Sequence, residues 1–196
     1  EQQDKETAAA TPPYNNITLA GDFVYVTIEL DASAVESSIS GKSKEGTNAP
    51  VRMLNAAGSE LMRRNGFYPP SGEVDFGSNI GVQSTTGVRK SGICDVAVGP
   101  ENTWSIIDEA RSKVFTYDFD GNLLFAFGDK GSLLGHISKV KAVVYQGDDM
   151  LLLDYDKGTF TVYNRTEYGD VLIAALENQN ARRYDAAIED WTEVLK

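Results

Sequence analysis

The sequence predicts a mainly β protein, a partial β-propeller of four-stranded meander blades that ends in a short α-helical segment. Three observations predict it. Residues 93–128 and 140–176 carry one pattern of short strands and turns, with Asp108 in register with Asp154, Tyr117 with Tyr163 and Gly121 with Gly169. Repetition at this length marks a unit that cannot bury its apolar face alone. Four strands joined by tight turns form a meander, which is what a propeller blade is. The last stretch, YDAAIEDWTEVLK, changes to helical periodicity.

Taken in order, residues 1–16 are polar and then Ala/Pro-rich and predict a flexible lead. The β domain is expected over 17–173, in units at about 17–66, 93–128 and 140–173. Within the first unit, FVYVTI is rich in β-branched and aromatic residues, as strands are. Residues 31–50 are rich in Ser, Gly, Lys and Glu and read as an inserted loop. Val51 onward matches Val114 onward without a gap, which makes 17–66 a diverged copy with an insertion. Residues 67–92 are rich in Gly, Ser and Pro and read as an excursion between units.

The middle unit is the clearest. Strands are expected at Ile93–Val98, Trp104–Ile107, Val114–Tyr117 and Leu123–Phe127, with Asp120-Gly121 supplying the positive φ of the last turn. In the last unit the turn at Asn164–Gly169 is longer, and the strand pattern is expected to run on to about Ala175. A helical segment is then expected over 177–196, with Asp185 as its N-cap and Ala187, Ile188, Trp191, Val194 and Leu195 on one apolar face.

Composition excludes several functions. Twenty-nine acids against 18 bases give a net charge of -11. Phosphate neutralisation needs clustered Lys and Arg, so neither nucleic acid nor an anionic membrane is an expected partner. No apolar run is long enough to span a bilayer. Cys94 is the one cysteine and lies in an apolar run, where a small buried hydrophobe is expected rather than a nucleophile. The polar start without a methionine predicts an extracytoplasmic bacterial protein, secreted or anchored through a removed N-terminus.

Two family resemblances follow. The Asp108–Phe115 and Asp118–Gly121 segments resemble NHL repeats, whose pattern is a strand, a D-turn-R/K segment, an aromatic strand and a D-x-D-G turn; Asp154–Phe160 is similar. The tail resembles the start of a tetratricopeptide repeat, with Tyr184, Ala187 and Trp191 in the family's tyrosine, small and large places. The two resemblances imply a propeller followed by a helical repeat. Three units do not close a propeller of typically four to eight blades. The chain is therefore expected to be a fragment, completed by further blades and helical repeats, by a protein or peptide partner, or by a second copy.

No catalytic residue, cofactor or metal site is expected. His136 is the one histidine and reads as a loop residue. Asp108, Asp118, Asp120, Asp148, Asp149, Asp154 and Asp156 recur at turn positions, where Asp bonds its own backbone. The function expected is a non-catalytic protein-interaction or scaffold module, with Tyr184, Ala187, Trp191 and Leu195 as the partner surface. The rivals are a calcium-dependent lactonase- or lyase-like propeller enzyme, holding its cation on those carboxylates, and a carbohydrate-binding module that stacks sugar on Trp104.

Overall fold

The computed structural model describes residues 14–28, 51–59, 61, 92–131, 133 and 136–196. Among them lie three antiparallel sheets and two helices. The first sheet runs β1 (Tyr14–Ala20), β2 (Phe23–Ile28) and β3 (Val51–Asn55). The second runs β4 (Ile93–Val98), β5 (Trp104–Asp108), β6 (Lys113–Tyr117) and β7 (Leu123–Phe127). The third runs β8 (Val140–Gln146), β9 (Asp149–Asp154) and β10 (Thr159–Tyr163). Helices α1 (Glu167–Asn180) and α2 (Tyr184–Val194) follow.

The second sheet is the centre of the molecule. Alternate residues on a strand point to opposite faces. Val96, Ile106, Phe115, Trp104 and Tyr117 therefore share one face and pack on Tyr25, Val51 and Met53 of the first sheet. Ala97, Ile107 and Val114 share the other and pack on Val140, Val143, Met150 and Leu152 of the third sheet. Trp104 and Tyr117 are cross-strand partners, with stacked rings 4.4 Å apart. That pairing adds to the burial of both rings.

The three sheets meet through their first strands. β1 packs on β4, and β4 on β8. No main-chain ladder joins them, so side chains make the links. Thr18 Oγ1 donates to the Val96 carbonyl at 2.7 Å, and Asn15 Nδ2 to the Ile93 carbonyl at 3.2 Å. Asn15 is itself held by the buried Thr27 hydroxyl. On the other side, the Val143 amide donates to Asp95 Oδ2 at 2.7 Å, while Asp95 Oδ1 accepts from Val96 N at 2.9 Å. A buried amide left unpaired costs about 1–3 kcal/mol, so Asp95 removes a penalty that the junction would otherwise carry.

Several expectations need correction. The sheets do not close, and only the second has four strands among the described residues; a propeller is not established. The lead expected over 1–16 overlaps β1, where Tyr14 and Asn16 pair with β2 and the Asn15 side chain between them reaches β4. The insertion expected at 31–50 lies outside the described residues, as does nearly all of the excursion at 67–92. The strands of the last unit stop at Tyr163, not near Ala175. Gly169, expected in a turn, stands in the first turn of α1, which begins ten residues before the helical segment expected at 177.

The run VLIAAL is apolar throughout and suits a strand or a helix. Local chemistry decides for the helix. Thr166 caps it by accepting from Gly169 N at 3.3 Å, and Glu167 and Asp170 place negative charge at its positive end. Leu172, Ala175 and Leu176, at helical spacing, form its buried stripe. Asp185 is not the cap of α2. Arg183 is, without a side-chain bond, and Asp185 lies in the first turn.

Two tests of this packing are direct. A Cβ on Gly99 would come within 2.7 Å of the Tyr145 ring, whose hydroxyl is hydrogen-bonded to Ser105 at 2.7 Å. The ring cannot swing away without losing that bond. Gly99→Ala should therefore cost about 1–3 kcal/mol in urea unfolding, and an unchanged midpoint would show the ring to be free.

The second concerns Asp95. Burial raises its carboxyl above the ordinary 3.8, against the opposing effect of the Val143 and Val96 amides. A carboxyl raised on folding contributes stability below its unfolded pKa and loses it as pH rises through the folded value. Asp95→Asn removes that titration. The stability of the variant relative to the parent should improve as pH climbs from about 4 toward neutral, measured by urea midpoints of both chains. A difference that is flat with pH would contradict the burial of this carboxylate.

Candidate functional site

The four expected site residues lie on α2, and the structure separates them. Ala187 is buried in the helix pair. Trp191 is half-buried, and its indole Nε1 donates to Gln179 Oε1 of α1 at 3.0 Å. Tyr184 and Leu195 are exposed, Leu195 at 85%. Tyr184, Ile188, Trp191 and Leu195 are spaced four, three and four apart and so share one stripe. Ile188 is exposed as well. Helical periodicity found the apolar side of α2 but not which of its residues α1 covers.

The recurring aspartates have defined structural work. Asp108 Oδ1 accepts from Gly92 N at 3.0 Å and Arg111 N at 3.2 Å, and Oδ2 from Arg111 Nε at 2.8 Å. Asp154 does the same at its own place: Oδ2 accepts from Ser138 N at 2.8 Å and Oδ1 from Lys157 N at 3.2 Å. Each carboxylate thus ties the entry of a first strand to the exit of the second. Burial pushes Asp154 up, yet the Ser138 and Lys157 amides and the Lys157 ammonium outweigh it and hold its carboxyl below the usual range. Asp118 accepts from Asn122 twice, both at 2.8 Å, across the turn where Gly121 has φ +86°. Asp149 accepts from Asn164, and Asp148 from Arg165. Asp120 and Asp156 are exposed turn residues. Among the described residues no group of three His, Cys, Asp or Glu side chains converges as a metal site would.

Cys94 is half-buried in β4, with its thiol directed at the Lys141 carbonyl at 3.7 Å. Burial, followed by the carboxylates of Glu109 and Asp95, pushes its pKa up to about 12. A thiol so raised is not a nucleophile near neutral pH. It faces an open polar groove of about 800 Å³, beside Lys139, Lys141 and Glu109. Trp104 is buried and stacked on Tyr117, so its ring has no face free for a sugar. His136 lies in the segment that leads into β8, where its amide donates to the Leu133 carbonyl.

A cleft of about 320 Å³ lies between β7, the third sheet and α1. Phe125, Phe127, Tyr145, Tyr163 and Leu172 line it. Arg165 stands at its rim, bonded to Asp148 at 2.8 Å and Asp170 at 2.6 Å. Arg165 thereby ties the β8–β9 turn to the first turn of α1.

The outer face of the third sheet is an open apolar surface. By register, Ala142, Leu153 and Phe160 form one row and Val144, Leu151 and Val162 the next. Both rows face away from the second sheet, because Val143 and Leu152 between them face toward it. Phe160 is 71% exposed, and Val144 and Val162 are exposed too. No helix of the described residues is long and apolar enough to cross a membrane.

No protein-family model matches the chain, and no curated protein matches it. Among solved structures it is similar to the computationally designed Ika4 protein, at 15% identity and a TM-score of 0.43 over 77% of this chain and 65% of that one. It is also similar to the computationally designed Ika8 protein, at 15% identity and a TM-score of 0.42 over 77% of this chain and 33% of that one. The chain spans under two thirds of the first and a third of the second. The expected NHL and tetratricopeptide memberships are therefore corrected. The neighbours are designed proteins, and the chain is mostly β, with sheets of three or four antiparallel strands and two helices.

The helix pair yields a test of its own. Trp191→Ala removes the bond to Gln179 and part of the packing between α1 and α2. It should destabilise the pair by about 2 kcal/mol, less than for a fully buried tryptophan, while Leu195→Ala changes stability by under about 0.5 kcal/mol. Native-state hydrogen exchange reads both, since only amides of the two helices should respond to Trp191→Ala.

Proposed function

We propose that this chain is a non-catalytic protein-interaction module whose sheets stack as an open arc of propeller-like blades, and that the outer face of the third sheet is its principal docking surface. One observation carries the reading. The rows Ala142–Leu153–Phe160 and Val144–Leu151–Val162 hold the places that Asp95–Ile107–Val114 and Ala97–Ser105–Thr116 hold in the second sheet. A bulge at the same point of the first strand, between Ile93 and Asp95 and between Val140 and Ala142, fixes that equivalence. In the second sheet this face is covered by a neighbouring sheet. In the third it is open, and the polar Asp95, Ser105 and Thr116 give way to Ala142, Leu151 and Val162, with Gln146 and Asp149 forming a polar row at one end. An apolar patch of this kind on a soluble surface marks an interaction site. The stacking of β1, β4 and β8 as neighbouring first strands supports the blade-like part of the reading.

Dye binding tests the surface directly. At a dilution where the chain is monomeric it should bind a hydrophobic dye, and Phe160→Glu with Val162→Glu should lower that binding several-fold while near-UV circular dichroism stays unchanged. Dye binding that is absent in the parent monomer, or indifferent to the two substitutions, would falsify the proposed surface.

A further inference from the structure

We infer that the cleft between β7, the third sheet and α1 is a binding site for a small organic cation of the trimethylammonium class. It lies on the opposite face of the third sheet from the docking surface proposed above and is independent of it.

The fold gathers five aromatic rings around one space. Phe125 and Phe127 stand two apart on β7 and so share a face. The pairing of Phe127 with Val114 turns that face toward the third sheet. Tyr145, Met150 and Tyr163 are cross-strand partners on β8, β9 and β10 and meet it from the other side. Tyr168, in the first turn of α1, adds a ring that is 50% exposed and so stands at the mouth. The Phe127 and Tyr163 rings are 5.0 Å apart and inclined at 50°, and Phe125 and Phe127 are 6.3 Å apart at 30°. Rings inclined in this way make a curved wall, which fits a rounded group better than a flat one. The cleft of about 320 Å³ lies within the roughly 300–1,000 Å³ of small-molecule sites.

The charges at the mouth select the sign of the ligand. Asp148, Glu167 and Asp170 stand there against one guanidinium, that of Arg165. Arg165 is already held by Asp148 at 2.8 Å and Asp170 at 2.6 Å, so an anion would have to displace a carboxylate to reach it. The first turn of α1 brings the positive end of the helix, equal to roughly half a charge, and the surplus stays negative. Two of the amides in that turn are also engaged, Gly169 N by Thr166 Oγ1 and Asp170 N by the Thr166 carbonyl. An aromatic face attracts a cation within about 6 Å of its centroid. A wall of rings offers few hydrogen-bond acceptors, and the Tyr145 hydroxyl is bonded to Ser105. A primary ammonium would enter with donors left unpaired, whereas a trimethylammonium has no N–H to satisfy.

The test is a heteronuclear NMR titration of the 196-residue chain with choline and with its uncharged carbon isostere, in which a tert-butyl group replaces the trimethylammonium. Choline should shift the amides of Phe127, Tyr163 and Gly169 and bind about three-fold or more tighter than the isostere. That margin should narrow as added salt screens the carboxylates. Tyr168→Leu removes a ring and keeps an apolar side chain, and Asp148→Asn removes a carboxylate. Tyr168 is 50% exposed and the Asp148 side chain 61%, so both variants should fold, which near-UV circular dichroism checks. Each should raise the choline Kd by about three-fold or more. An isostere that binds as tightly as choline would make the cleft a merely apolar site and overturn the inference. No binding of either probe, choline shifts confined to amides elsewhere, such as those near Leu195, or a choline Kd indifferent to both substitutions would overturn it too. None of these outcomes bears on the outer face of the third sheet, which has its own dye test.

Discussion

Everything in this molecule hangs on the junction of three first strands, β1, β4 and β8. Adjacent strands of different sheets do not satisfy one another through a regular ladder. The chain meets the constraint with short polar side chains placed at the seam: Asn15 and Thr18 reach from β1 to β4, and Asp95 reaches from β4 to β8. Asp95 is the most consequential of them, because it is buried and its two oxygens satisfy two main-chain amides, one in its own strand and one in the next sheet. With the seam in place, the second sheet packs an apolar cluster on each of its faces.

The same constraint explains how the sheets differ. A sheet with a neighbour on each side, like the second, carries polar groups among its apolar rows because the neighbour supplies their partners. The third sheet keeps the bulge and the turn aspartate of the second, but Ala142, Leu151 and Val162 stand where the second has Asp95, Ser105 and Thr116. Its chain then departs from the meander. Where a fourth strand would lie, α1 turns away under the control of Thr166, Asp170 and Arg165. Among the described residues the third sheet is the last in sequence, and its outer face exposes apolar side chains.

Much of this was legible in the sequence, and the part that was not has physical causes. The equivalence of Asp108 and Asp154 could be read because turn chemistry demands a particular side chain at a particular place, and both make the same bonds. The turn at Gly121 was legible for the same reason. The course of residues 164–176 was not, since a run of Val, Leu, Ile and Ala suits a strand and a helix equally, and the cap and ion pairs that decide between them involve the distant Asp148 as well as local residues. The open face was hidden by register. A slip of one residue exchanges the two faces of a strand, and the bulge at Lys141 that sets the phase cannot be seen without the paired strand. Asp95 gave no sequence signal beyond a carboxylate in an apolar run, because its partner, the Val143 amide, is 48 residues away. Of the four residues expected to form a partner surface on α2, Ala187 proved to be helix-pair packing and Trp191 partly so, while Tyr184 and Leu195 remain open.

The most direct measurement of the central claim is the hydrogen-exchange rate of the Val143 amide, resolved by NMR in the folded chain. If the seam between β4 and β8 holds the fold together, this amide exchanges only by global unfolding, with the same protection as the core amides of β5 and β6. An exchange rate close to that of the exposed turn amides, such as Gly147 and Gly158, would mean that the seam opens independently of the core and that the sheets are held by apolar packing alone.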